Sequence, residues 1–119
     1  MIFKVDVPKH IQDKLAQFQN LQNQLQMIAM QKQQLMLQNT DLDNAKKELE
    51  AVKSERLYKM AGPLLIETSK EAGMKFVTDE RDLADTKIKV LEKQEKKLVE
   101  KLNEMRGELQ SAFSPPKAQ

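Results

Sequence analysis

The sequence predicts a mainly α protein: a long antiparallel α-helical coiled-coil hairpin with a short β-hairpin between its two helices. Three observations predict it. Two long stretches carry apolar residues at three-four spacing, the pattern of one helix face. Between them a short segment changes spacing around Gly62-Pro63. The composition, 39% hydrophobic, 4% aromatic and 32% charged over 119 residues, is too lean for a thick core and suits a narrow seam.

The first helix is predicted over residues 8–55. Pro8 stands where a first helical turn tolerates proline, Asp6 precedes it as a candidate cap, and no Gly or Pro follows until Gly62. Ile11, Phe18, Leu21, Leu25, Ile28, Leu35, Leu42 and Leu49 form the seam, five of them in a strict seven-residue repeat from Leu21 to Leu49. Lys32 and Asn39 interrupt it. Polar residues on such a seam set register or partner at some cost in stability.

The hairpin is predicted over 56–68, where two apolar runs flank Gly62-Pro63. An isolated hairpin is marginal in water, so its strands call for further strands from partner subunits. The second helix is predicted over 69–113, with Met74, Val77, Arg81, Ala84, Ile88, Leu91, Glu95, Leu98, Leu102, Met105, Leu109 and Ala112 on its seam. Thr68-Ser69-Lys70-Glu71 has the spacing of a capping box, Gly73 weakens the first turn, and Ser114-Pro115-Pro116 closes the helix. Helices of about 45 residues would each span about 65 to 70 Å, and the short hairpin would fold them antiparallel. Residues 1–7 and 114–119 would then be flexible segments at one tip of a single domain.

Composition narrows the function. The formal charge is +2, split as +1 over residues 1–56 and +1 over 57–119, so no basic field is concentrated for nucleic acid or anionic lipid. The longest apolar stretch, around 61–66, is interrupted by Gly62 and Pro63 and falls far below a membrane span of about 20 residues. The lack of cysteine and of a secretory h-region points to the cytoplasm.

No catalytic constellation is present. His10 is the only histidine and has no cysteine beside it to build a metal set or a nucleophile-base pair. Asp41 with Asp43, and Asp79, Glu80, Asp82 and Asp85, read as solvated helix faces paired with lysine, without the glycine turn of a calcium loop. The run from Lys93 to Lys97 is interleaved with Glu95 and lacks aromatics, unlike a nucleic-acid site. Neither a metal nor a cofactor is expected.

Two regions carry candidate function. At the tip, Ile2, Phe3, Val5 and Val7 lie outside the seam beside Ile11, Leu15, Leu109 and Phe113, and exposed apolar surface at a stalk end suits contact with another polypeptide. From Leu15 to Thr40 the only charge is Lys32, amid many Gln and Met. These are good helix formers on a solvated face, and equally pliable groups for adaptive contact with varied apolar partners. At the other end, Leu57, Tyr58, Met60, Leu64, Leu65 and Ile66 would be buried by neighbouring strands.

Leu57-Tyr58-Lys59-Met60-Ala61-Gly62-Pro63-Leu64-Leu65-Ile66, together with Leu91-Glu92-Lys93-Gln94-Glu95-Lys96-Lys97-Leu98, resembles the beta class of prefoldin, as found in archaea. Pro8 and the Gln-rich first helix with Gln31-Lys32-Gln33 add weaker likeness, and the resemblance runs end to end. It implies an ATP-independent holdase: a hetero-hexamer of two alpha-class and four beta-class subunits whose hairpins build a β-barrel platform. The distal ends of its six coiled coils would hold unfolded polypeptides and pass them to a group II chaperonin. A single hairpin fits the beta class. Gly73 and Arg81 depart from the family pattern, at a position where the helix usually continues and on a seam that is usually apolar. A coiled-coil tether docking one defined partner is the alternative, and promiscuity toward unrelated unfolded proteins separates the two.

Overall fold

The computed structural model describes residues 7–53 and 56–113. The order is helix α1 (Lys9–Ala51), strands β1 (Leu57–Ala61) and β2 (Leu64–Thr68), and helix α2 (Lys70–Phe113). Packing falls into two compact units, residues 31–91 and residues 1–30 with 92–119. A seam between two helices is made of side-by-side contacts that are local along the axis, so no single core gathers them.

In the 31–91 unit the two helix segments run antiparallel and the hairpin closes their ends. Val77 and Ala84 are buried, with Leu35, Leu42, Leu49, Met74, Ile88 and Leu91 half-buried around them. Asn39 is buried among them as a polar residue. Its Nδ2 donates to Asp85 Oδ1 at 2.9 Å, and its carbonyl accepts from Arg81 Nη1 at 3.0 Å. Arg81 Nη1 also lies 2.9 Å from Asp43 Oδ2. Two of the polar seam positions, Asn39 and Arg81, therefore face each other and form one polar layer.

α1 stops at Ala51, four residues short of the predicted end, although no Gly or Pro intervenes. The cause is tertiary. Lys70, at the start of α2, donates from Nζ to the carbonyls of Glu50 (3.1 Å) and Val52 (3.2 Å). A lysine ammonium at a helix C-terminus satisfies orphan carbonyls and opposes the negative end of the dipole. The chain then turns into β1.

The β-strands pair antiparallel with Leu57 opposite Thr68, Lys59 opposite Ile66 and Met60 opposite Leu65. Gly62 carries φ +60° and Pro63 follows it. Glycine at positive φ in the first loop position, with proline holding φ near about −65° in the second, suits the II′ turn that two-residue hairpins favour. Ser69 caps α2: its Oγ accepts from the Ala72 N–H at 3.1 Å. The cap thus stands one residue beyond the predicted box, since Thr68 is held in β2. Gly73 does not loosen this turn. Its position packs on Leu49, and a Cβ there would meet that side chain at 3.5 Å, an ordinary contact.

In the other unit, Ile11, Leu102, Met105 and Leu109 are buried, and Phe18, Leu21, Leu25, Ile28 and Leu98 are half-buried. Lys14 pairs with Glu108 at 2.9 Å, and Arg106 lies 5.9 Å from the Phe18 ring centroid. Pro8 sits just outside α1, its carbonyl accepting from Ile11 N (3.0 Å) and Gln12 N (3.1 Å). Ala112 is exposed rather than on the seam. Asp6 and Ser114-Pro115-Pro116, read as a cap and a stop, lie outside the described residues.

Candidate functional site

Strand alternation sorts the hairpin into two faces. Leu57, Lys59 and Ala61 of β1 are half-buried and turn toward the helices, while Tyr58 and Met60 alternate with them and are exposed. Lys59 Nζ stands 3.7 Å from the Phe76 ring centroid, a cation–π contact that clamps β1 to α2. Leu57, Thr68, Leu49, Val52, Phe76 and Val77 help line a cleft of about 490 Å³ beneath it.

The opposite face is uncovered. Tyr58 is 61% exposed, Met60 76% and Leu65 68%. Leu64 and Ile66, which pair with Ala61 and Lys59 on the helix-side face, are exposed as well, so five of the six side chains predicted to be buried by partner strands present free surface. Leu57 is the exception, tucked toward the cleft. The hairpin forms a sheet of two strands, so the outer backbone edges of both lack a strand neighbour among the described residues. Exposed apolar faces next to open edges are the features that recruit further strands.

The tip candidates divide. Ile11 and Leu109 are buried in the seam and offer almost no surface. Their three-four spacing already places them there, and that role prevails. Leu15 and Phe113 are exposed, and Val7 is half-buried with its carbonyl accepting from Gln12 Nε2 at 2.9 Å. Ile2, Phe3 and Val5 lie outside the described residues. Along α1, Met27, Met30, Met36 and Leu37 are exposed, as a contact surface and a plain solvated face would both require.

Sequence reasoning missed the Lys59–Phe76 clamp and the Lys70 cap. Alternation around the hairpin places Lys59 on the inward face, which is the one available signal for the first. Nothing local marks Lys70. Among the described residues no group of three His, Asp or Glu side chains is placed to hold a metal, and no helix is long and apolar enough to cross a membrane.

Two helices, a two-stranded hairpin between them and an uncovered apolar strand face make up the described fold. The profile of the family described as Prefoldin subunit matches residues 12–115. The chain belongs to the prefoldin subunit family. It is 34% identical to the prefoldin subunit beta of Thermococcus kodakarensis, over 95% of this chain and 97% of that one. It is 35% identical to the prefoldin subunit beta of Archaeoglobus fulgidus, over 92% and 96%. The crystal structure of the prefoldin beta subunit from Thermococcus strain KS-1 superposes with a TM-score of 0.82 at 34% identity, covering 93% of this chain and 98% of that one. As a prefoldin subunit of the beta class, the chain is a chaperone component, and its hairpin and seam correspond to a fold already seen in that class.

Proposed function

We propose that this prefoldin chain is a beta-class subunit of an ATP-independent holdase, and that its hairpin is the assembly element. The observation that carries the reading is the uncovered strand face of Tyr58, Met60 and Leu65 beside two open strand edges. A hairpin alone is marginal, whereas closing several into an intersubunit β-barrel buries these side chains and pairs the edges. The assembly is a hetero-hexamer of two alpha-class and four such subunits, working in the cytoplasm without catalysis.

Client contact falls to the unit without the hairpin, through Val7, Leu15 and Phe113 with Ile2, Phe3 and Val5. Ile11 and Leu109 support that surface from the seam. Each tip binds weakly, and several tips on one platform bind one unfolded chain together through high effective concentration. No nucleotide is needed, because release follows transfer of the client to a group II chaperonin.

The test is suppression of thermal aggregation of an unrelated protein, without ATP, by this chain mixed with an alpha-class subunit, with mass measured in parallel. Protection by a hexamer is expected. Removing residues 1–7 with the tail from Ser111 should abolish protection and leave the hexamer intact. Loss of assembly on that deletion refutes the division between tip and hairpin.

A further inference from the structure

The chain contains no cysteine and no tryptophan, so its readily oxidised side chains are its seven methionines. The structure sorts them. Met105 is buried in the helix seam at 6% exposure and Met74 is half-buried, while Met27, Met30 and Met36 are exposed on α1. Met60 is 76% exposed, more than any other large apolar side chain among the described residues. It stands on β1 directly across from Leu65, on the face that turns away from the helices and beside an open backbone edge.

An exposed thioether is open to hydrogen peroxide, and oxidation turns a flexible apolar side chain into a polar one without adding charge. The sulfur donates a lone pair to one peroxide oxygen, and the O–O bond breaks as the S–O bond forms. The hydroxide released takes the proton of the transferred oxygen and leaves as water. Sulfur loses two electrons, peroxide gains them, and the product is methionine sulfoxide. A methionine sulfoxide reductase reverses the step with two thiols, which pass to a disulfide as the oxygen leaves as water.

Position decides what the added oxygen does. On the exposed face of α1 a sulfoxide stays in water. At Met60 it sits on the face that partner strands bury when the hairpin acts as the assembly element. There the oxygen becomes a buried acceptor without a donor, and the apolar contact of the thioether is lost as well. The pairing of β1 with β2 is kept, because backbone groups make that ladder.

We propose that Met60 is a peroxide-sensitive modification site that governs assembly: the thioether form joins the intersubunit sheet, and the sulfoxide form keeps the subunit free. The proposal rests on the hairpin being the assembly element. Burial in the assembly shields the same sulfur, so a subunit already assembled keeps Met60 reduced while Met27, Met30 and Met36 stay open to peroxide.

The full chain is treated with graded hydrogen peroxide, oxidation at each methionine is read by peptide mass spectrometry, and the chain is then mixed with an alpha-class subunit for mass measurement. Oxidation of Met60 is expected to raise the concentration needed for assembly about tenfold, and reductase treatment to restore it. Met60→Leu should assemble equally well before and after peroxide, which separates Met60 from the methionines of α1. Met60→Gln, polar and uncharged, should assemble poorly without any peroxide. Treating the preformed assembly should leave Met60 reduced while Met27, Met30 and Met36 oxidise. Full oxidation of Met60 with assembly unchanged overturns this proposal alone, as does a Met60→Leu chain that peroxide disables as fully as wild type. An assembly in which Met60 oxidises as fast as in the free chain overturns the reading of the hairpin, and this proposal with it.

Discussion

Asn39→Leu should make the protein more stable although it deletes a cross-helix hydrogen bond. Asn39 is 8% exposed, its Nδ2 bonds Asp85, and its Oδ1 is buried without a hydrogen-bond partner among the described residues. A buried orphan acceptor costs about 1–3 kcal/mol, and burying a leucine side chain in its place contributes about 1.5–3 kcal/mol. Against this stands one hydrogen bond to a carboxylate, worth about 1.5–3 kcal/mol when shielded. Asp85 keeps 47% of its side-chain surface in water, so that bond falls at or below the low end and the freed carboxylate rehydrates. Arg81 loses no contact of its own, because it reaches the backbone carbonyl at position 39, Asp43 and Asp85 rather than the amide. The balance favours leucine by about 1 kcal/mol or more, read as a higher urea midpoint by circular dichroism at fixed protein concentration with an unchanged m-value. A midpoint lower than wild type would refute the reasoning, since the amide's bond to Asp85 would then outweigh the buried orphan.

The glycines should respond with opposite signs. Gly73→Ala fits the space beside Leu49 and should stabilise by about 0.5–1 kcal/mol, whereas Gly62→Ala forces a Cβ onto φ +60° and should cost about 1 kcal/mol or more, both read from urea midpoints. Lys70→Met removes the ammonium from the carbonyls of Glu50 and Val52, should cost about 0.5–1 kcal/mol, and should raise amide exchange in the last turn of α1. Met60→Glu with Leu65→Lys places an opposite-charge pair at a cross-strand position, so the hairpin should persist while mass measurement shows assembly lost.

The parts of this fold that are written locally are legible in the sequence. The seam of each helix follows from three-four spacing, and the turn follows from Gly62-Pro63. The end of α1 is not legible, because the residue that fixes it, Lys70, lies 18 to 20 positions away. Gly73 and Arg81 look like irregularities in isolation. Each is ordinary once its neighbour across the seam is known, Leu49 for the first and the Asn39 carbonyl with Asp43 for the second. At the tip, Ile11 and Leu109 satisfy two patterns at once, periodic on a helix and close to the apolar terminus. Burial decides between them, since a side chain already covered by the facing helix has little surface left for a client.

The same burial explains why the chain must work in company. Among the described residues only Ile11, Val77, Ala84, Leu102, Met105 and Leu109 are buried apolar side chains, although 39% of the sequence is hydrophobic. A two-helix seam encloses one narrow strip, so apolar residues beyond it face outward whatever their number. Their placement is uneven in kind. On the hairpin, Tyr58, Met60 and Leu65 sit beside backbone edges that demand hydrogen-bond partners, which favours strand addition with fixed geometry. On α1 the outward Met27, Met30, Met36 and Leu37 belong to helical backbone already satisfied within its own ladder, in a stretch whose single charge is Lys32. Contact there brings no backbone requirement and little electrostatic selection, so it suits partners that differ in sequence. On the proposed reading, the directional surface of the hairpin serves assembly, and the permissive surface along α1 adds to the client contact made by Val7, Leu15 and Phe113.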